Sequence, residues 1–508
     1  MRRVALALAA LVLAALPVPA SAATTYEETY IASADGTRLH TEIFRKRTGR
    51  LPVALIVSPY LHGDAYLRGP EAEALLDRGY AVVQTALRGY GGSDGCSDLG
   101  GKGEQSDVKA AVEWAARQSW STGRVGMWGL SYEGWTQVMA LATRPRGLAA
   151  VAIQSPLVSL YHGLYMNRAH YGGVWWAMPA SYGADDLGGT GSPQPTDATC
   201  YAANLTETTG ADPDTAYYRE RDLIARARTS RVPVLWSHGF NDVNTKPDNL
   251  SALYPLLRGP KRAWVGQFPH VTPPGGVGPR YLREVVDWFD AYVRGDRAAL
   301  RRVTAAPRAV VQQGDGRWRT DSAWPPRDAR AVTSRLRSGT FTDIPANDGS
   351  QGHEDGAVLW SFSQRLPYAV HLSGAPRVTV TVRGTAPAQV VVKVYDVGPE
   401  GEAVPVTRGV HALVDGKASF ELYPQDWRFA PGHRIGVAVL GSDGTFWSPA
   451  AGGQVTVSGA SLAVPALRYE RGASFADTSS TKPAQFTVVP DVVKAGETTF
   501  RLPPRMRP

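Results

Sequence analysis

Between residues 51 and 156, short β-branched runs alternate with helical stretches. This restricts the fold more than any other property of the chain. LPVALIVSPY (51–60) and GYAVVQTALRG (79–89) read as strands, the second running into the Gly-rich YGGSDG (90–95). SDVKAAVEWAARQSW (106–120) then places Val108, Ala111, Val112, Ala115 and Ala116 on one helical face. RVGMWGLS (124–131) reads as the next strand, TQVMALAT (136–143) as a helix, and GLAAVAIQSP (147–156) as a further strand. Strands joined by helix-length crossovers pair in parallel, so an α/β domain with a mostly parallel sheet is expected over 23–156.

The alternation stops over 157–230, where YHGLYMNRAHYGGVWWAM (161–178) heads a Tyr-, Trp-, Gly- and Asp-rich stretch. It reads as a mostly helical lid inserted over the sheet. The pattern resumes over 231–302 with RVPVLWSHGFND (231–242), KRAWVGQFPH (261–270) and the helical YLREVVDWFDAYVRGD (281–296), where Leu282, Val285, Val286 and Phe289 share a face. From 303 to 508 helical periodicity fades. RVTVTVRG (377–384), AQVVVKVYDVG (388–398) and RIGVAVLGS (434–442) carry a period of two, which predicts an all-β sandwich or jelly roll.

A chain of 508 residues exceeds what one core usually covers, in keeping with two domains. Its net charge of +8 is scattered and forms no dense Lys/Arg block, so nucleic acid is not an expected partner. Residues 1–22 have a basic start at Arg2 and Arg3, an apolar run, and a small-residue ending at Ala20-Ser21-Ala22. That is the pattern of a cleaved secretory signal, and no later run is long enough to span a bilayer. The mature protein is therefore expected outside the cell and free of the membrane. Cys96 and Cys200 are the only cysteines, and in an oxidising compartment they predict one disulfide tying the lid to the catalytic domain.

In a βαβ sheet, catalytic groups collect at the carboxyl ends of the strands. Ser131, Asp242 and His270 each follow a predicted strand, and Ser…Asp…His is the chain order of α/β-hydrolases. A serine hydroxyl is a weak nucleophile until an imidazole takes its proton. His270 fits that role, with Asp242 fixing its tautomer and stabilising the imidazolium. The usual elbow has glycine two residues after the serine; here Glu133 holds that place and Gly134 follows.

Gly129-Leu130-Ser131-Tyr132-Glu133-Gly134, with Gln137, resembles the elbow of the X-Pro dipeptidyl-peptidase / cocaine esterase family of α/β-hydrolases. SPY (58–60), RGYGGSDG (88–95), HGFNDVNTKP (238–247) and FAPGHRIGVAV (429–439) are similar to further family segments, the third nearest to the X-Pro peptidase branch. The resemblance implies an oxyanion hole made by the Tyr132 backbone N–H and the Tyr60 phenol. It also implies release of N-terminal dipeptides with proline second, or hydrolysis of a small ester or amide; a non-catalytic secreted binding protein is the rival from another class. A dipeptidase must bind a free ammonium, for which Glu133 is the first candidate and Asp185 and Asp186 are alternatives. Tyr161, Tyr165, Trp175 and Trp176 are candidates for the apolar slot. His62, His162, His170 and His238 have no metal-ligand spacing around them, and neither metal nor cofactor is expected.

Overall fold

The computed structural model describes residues 24–60, 69–172, 198–273, 278–343, 358–384, 388–412, 416–444, 446–447, 453–469, 471–472, 474–475 and 498–500. The expected signal segment 1–22, His62, Trp175, Trp176, Asp185 and Asp186 lie outside these residues. The first strands are β1 (Thr25–Ala32), β2 (Arg38–Arg45), β3 (Leu51–Ser58), β4 (Ala81–Ala86), β5 (Ser121–Leu130) and β6 (Leu148–Gln154). Helix α1 (Pro70–Asp77) joins β3 to β4, α2 (Lys102–Arg117) joins β4 to β5, and α3 (Tyr132–Thr143) joins β5 to β6. The lid segment contributes α4 (Leu160–Leu164), the hairpin β7 (Tyr165–Met166) and β8 (Ala169–His170), then α5 (Ala198–Thr208), α6 (Ala216–Arg221) and α7 (Ile224–Ala227). The alternation then returns as β9 (Val234–Gly239), α8 (Asp248–Leu253), β10 (Lys261–Gly266), α9 (Gly278–Phe289) and α10 (Arg297–Ala305), followed by β11 (Ala309–Gln312) and β12 (Trp318–Asp321).

The ten-stranded central sheet has the order β1-β2-β4-β3-β5-β6-β9-β10-β11-β12. From β4 to β11 its neighbours are parallel, and antiparallel pairs close both edges. Every residue of β3 and β4 is buried, because helices cover both faces of a parallel sheet. Strand order reverses about β3, with β4 on one side and β5 onward on the other. Sites form in the crevice at the strand ends beside such a reversal.

Helix burial follows the sequence pattern with one rotation. In α2, Val108, Ala111, Val112 and Ala115 are fully buried, while Ala116 sits at the margin. In α9 the buried face is Tyr281, Val285, Trp288 and Phe289, not the expected Leu282, Val285, Val286 and Phe289. Three large aromatic rings outweigh the aliphatic pair in setting which way this helix rolls.

The texture change at 302 does not mark the end of the central sheet. β11 and β12 extend it to Asp321, and the β-rich texture of these edge strands is indistinguishable locally from that of the sandwich. Among the described residues the remainder forms two sheets of seven and five strands, antiparallel except where Thr498–Phe500 pairs with Val358–Ser363. Val378, Val380 and Val382 of one sheet share a core with Val390, Val392 and Val394 of the other.

A buried charge network joins the two domains. Arg319 on β12 is 1% exposed and pairs with Asp321 on its own strand and with Asp426 of the sandwich at 2.5 Å. Asp426 also accepts from Ser373 Oγ at 2.6 Å and bonds His371 Nε2 at 2.8 Å. Nearby, Gln267 Nε2 donates to Gln425 Oε1 and to the Asp426 carbonyl, linking the sandwich to the loop that carries His270.

Candidate active site

β5 ends at Leu130 and α3 begins at Tyr132, so Ser131 alone makes the turn between them. It does so at φ 67°, ψ −123°, a conformation that L-residues rarely adopt. Its N–H donates to the Gln154 carbonyl at 3.0 Å, and its own carbonyl accepts from Trp135 N at 3.0 Å. Close packing lets the turn be this sharp. A Cβ at Gly129 would lie 2.5 Å from Glu133 Cβ, and one at Gly134 would lie 2.6 Å from the Gln154 carbonyl oxygen.

Asp242 follows β9 and is completely buried. Its Oδ1 accepts from the N–H groups of Asn244 at 2.8 Å and Thr245 at 2.9 Å. Its Oδ2 accepts from Thr245 Oγ1 at 3.0 Å and bonds His270 Nδ1 at 2.8 Å. Burial pushes this carboxyl up, but the bond from His270 and the surrounding donors outweigh it and bring it down to about 2. Asp242 is therefore ionised at any working pH. With Nδ1 engaged, His270 Nε2 is the nitrogen left to take a proton, and it is buried without a partner. His238 lies behind the pair, its Nε2 3.7 Å from Asp242 Oδ2, and burial brings its ring down to about 4. A neutral His238 adds no competing positive charge beside Asp242.

The Tyr132 N–H donates to the Tyr60 hydroxyl oxygen at 3.3 Å, so the two expected oxyanion donors lie side by side and are bonded to each other in this structure. The Tyr60 N–H is itself held by Ser58 Oγ at 3.0 Å.

Glu133 is placed differently from the expected ammonium anchor. It is 6% exposed, and its carboxylate accepts from Ser58 Oγ at 2.9 Å and from the Leu130 N–H at 3.4 Å. It braces the elbow against β3 and, through Ser58, the Tyr60 turn. Sequence reasoning also missed Ser58 in this chain of contacts. Tyr161 and Tyr165 stack at 5.2 Å and line a cavity of about 480 Å³ with His162, Asp248 and His411. Neither Ser131, Asp242 nor His270 lines that cavity. Tyr165 is 3% exposed with its hydroxyl bonded to the Thr208 carbonyl at 3.1 Å, which makes it a packing residue of the lid base. Cys96 is disulfide-bonded; the only other cysteine, Cys200, is in α5, and its side chain lies outside the described residues. Among the described residues no three His, Cys, Asp or Glu side chains group as metal ligands, and no helix is long and apolar enough to cross a membrane.

A strained serine between strand and helix, a buried Asp–His pair on later strand ends and the Tyr60–Tyr132 contact beside the serine define an α/β-hydrolase of the serine type. Residues 35–272 match the X-Pro dipeptidyl-peptidase (S15) family, and residues 301–483 match the C-terminal non-catalytic domain of X-Pro dipeptidyl-peptidases. The chain belongs to the X-Pro dipeptidyl-peptidase / cocaine esterase family. A Streptomyces avermitilis protein provisionally named Xaa-Pro dipeptidyl-peptidase is 27% identical over 64% of this chain and 53% of its own length, so this chain spans about half of that relative. The cocaine esterase of a Rhodococcus species is 24% identical over 80% of this chain and 89% of its own. An aminopeptidase crystal structure from a marine sediment Thaumarchaeota archaeon superposes with a TM-score of 0.71 at 16% identity, over 90% of this chain and 98% of that one, a likeness of fold.

Proposed function

We infer that this protein is a secreted serine peptidase that releases Xaa-Pro dipeptides from free N-termini through an acyl-enzyme. The observation that carries the reading is the His270–Asp242 pair, with one imidazole nitrogen fixed and the other open, on the same sheet as the Ser131 elbow. His270 Nε2 takes the Ser131 proton as Oγ attacks the scissile carbonyl, then returns it to the leaving amine. Asp242, ionised throughout, stabilises the imidazolium between those steps. The oxyanion draws on the Tyr132 N–H and the Tyr60 hydroxyl. Water then repeats the sequence on the acyl-enzyme. The basic start, apolar run and A-x-A ending of residues 1–22 support export.

A second reading, an esterase or amidase on small acyl compounds, draws support from Glu133. Its burial against Ser58 and Leu130 leaves the expected ammonium ligand occupied below the elbow. Purified enzyme given a free-amine Xaa-Pro anilide, its N-acetylated form and a simple aryl ester separates the two. Fast cleavage of the free amine with nearly none after acetylation is expected. Equal rates on both anilides, or preference for the ester, transfers the protein to the esterase reading. No reaction with a fluorophosphonate refutes both.

A further inference from the structure

A buried carboxylate stands behind the elbow, and the triad does not use it. Glu104, in the first turn of α2, has no exposed surface. Its Oε2 accepts from the Tyr132 hydroxyl at 2.5 Å and the Gly100 N–H at 2.8 Å. Its Oε1 accepts from Ser97 Oγ at 2.8 Å and the Asp98 N–H at 3.2 Å. Four donors meet one carboxyl group, and no Lys or Arg pairs with it among the described residues. Burial, together with the neighbouring Asp98 carboxylate, pushes Glu104 up to about 7. An unpaired buried carboxylate costs several kcal/mol that an apolar side chain would not.

What Glu104 holds is the side chain of the residue whose backbone N–H is the expected oxyanion donor. Tyr132 is the first residue of α3. Its N–H faces Tyr60, and its phenol runs the other way to Glu104. Between these ends the ring packs on Trp135 at 5.0 Å, and Trp135 is roofed so closely by Gly100 that a Cβ there would lie 2.3 Å from the indole. The residue is thus held at both ends, and a shift of its Cα, which carries the N–H with it, would draw the phenol off the carboxylate. The grip extends to the lid, since Asn204 Nδ2 donates to the Ser97 carbonyl at 2.9 Å and the Arg221 guanidinium to the Asp98 carbonyl at 2.7 Å.

We propose that Glu104 is a positioning residue: by holding the Tyr132 phenol it fixes the place of the Tyr132 N–H beside Tyr60, where it serves the oxyanion. The proposal rests on the oxyanion role given to that N–H above. It assigns the loop over residues 96–101 a part in turnover, as the seat of the other donors to the same carboxylate.

The test compares two phenols that are each bonded to a buried carboxylate. Tyr132→Phe removes the hydroxyl and leaves the backbone N–H. Tyr80→Phe removes a fully buried hydroxyl that donates to Asp290 Oδ1 at 3.0 Å, from the turn between α1 and β4, which carries no site residue. The substrate is whichever anilide or ester the wild type turns over, so failure of the peptidase reading shows separately, as absent Xaa-Pro cleavage. Tyr132→Phe is expected to lower kcat about tenfold with KM within about twofold, and to slow fluorophosphonate inactivation in parallel. Tyr80→Phe is expected to lower Tm comparably with kcat intact. Glu104→Gln, which still offers an oxygen to the phenol, should retain more kcat than Glu104→Ala. Wild-type kcat in Tyr132→Phe overturns the proposal, as does a loss that follows the unfolded fraction equally in both tyrosine variants.

Discussion

Gly134→Ala sets a local preference against a packing limit, and the structure decides which prevails. Gly134 lies in the first turn of α3. Helix propensity alone favours alanine there by about 0.8–1.0 kcal/mol. The added Cβ, however, would stand 2.6 Å from the Gln154 carbonyl oxygen and 3.1 Å from Pro156 Cα, where ordinary contact starts at 3.4 Å. Both obstacles are backbone atoms of β6 and its exit, so neither can swing aside. The helix must back away by about 0.8 Å, the difference between 3.4 and 2.6 Å. Overpacking of this kind costs about 1–3 kcal/mol, which leaves a net loss of about 0–2 kcal/mol after the propensity gain. At roughly 2–4 °C per kcal/mol for a domain of 150–250 residues, Tm should fall by no more than about 8 °C. Activity should fall much further, because the same displacement moves Ser131 and the Tyr132 N–H. Misplacement by about 1 Å can cost about a hundredfold in rate. Steady-state kcat on an aryl ester, measured beside a thermal melt, should show a loss of about 10- to 100-fold at temperatures where the variant is fully folded. A raised Tm with unchanged kcat would refute the argument.

Ser131→Ala and His270→Ala should each abolish nearly all turnover in folded protein, and the double variant should be little worse than either, since triad members act as a unit. Asp242→Asn should lose about 10⁴-fold in kcat by releasing the His270 tautomer; near-normal activity would remove Asp242 from the triad. Thiol titration of unfolded, unreduced protein should find no free cysteine, and Cys96→Ser should cost about 2–4 kcal/mol of stability; two titratable thiols would rule out the bond. Glu104, raised from 4.5 to about 7 in the folded state, contributes stability that is full below about pH 4.5 and lost as pH rises toward 7. Glu104→Gln should therefore flatten the unfolding free energy across that window, and an unchanged slope by denaturant titration would count against the assignment.

The parts of the site legible in the sequence are those fixed by topology. Ser131, Asp242 and His270 each follow a β-rich run, and parallel strands end on one side of a sheet, so chain order alone brings them to one edge. The elbow by itself is not legible, because a serine between glycines is common in loops; its chain order with Asp242 and His270 is what singles out Ser131. Contacts between distant polar side chains are not legible either. Nothing in GKGEQSDV (101–108) marks Glu104 as buried, since its place in the first turn of an amphipathic helix equally suits a solvated charge favoured by the helix dipole. Glu133 misled for a similar reason: proximity to the nucleophile in sequence says nothing about which way a side chain points from a helix start. The periodic pattern puts Leu282 and Val286 on the buried face of α9 because it weighs Leu and Trp alike, whereas packing weighs volume.

The Arg319 network bears on how freely the two domains can be exchanged. Cutting the chain between them would leave Asp426 and its neighbours in the sandwich without their guanidinium, and Arg319 on a bared sheet edge without one of its carboxylates. Stranding one member of a buried ion pair costs about 3–5 kcal/mol, a large share of the stability of most domains. A graft of this sandwich onto another hydrolase must therefore carry its own arginine to the same strand. Arg319 and Asp426 form a compatibility lock, and a chimera built without matching them should fail in assembly before any question of catalysis arises.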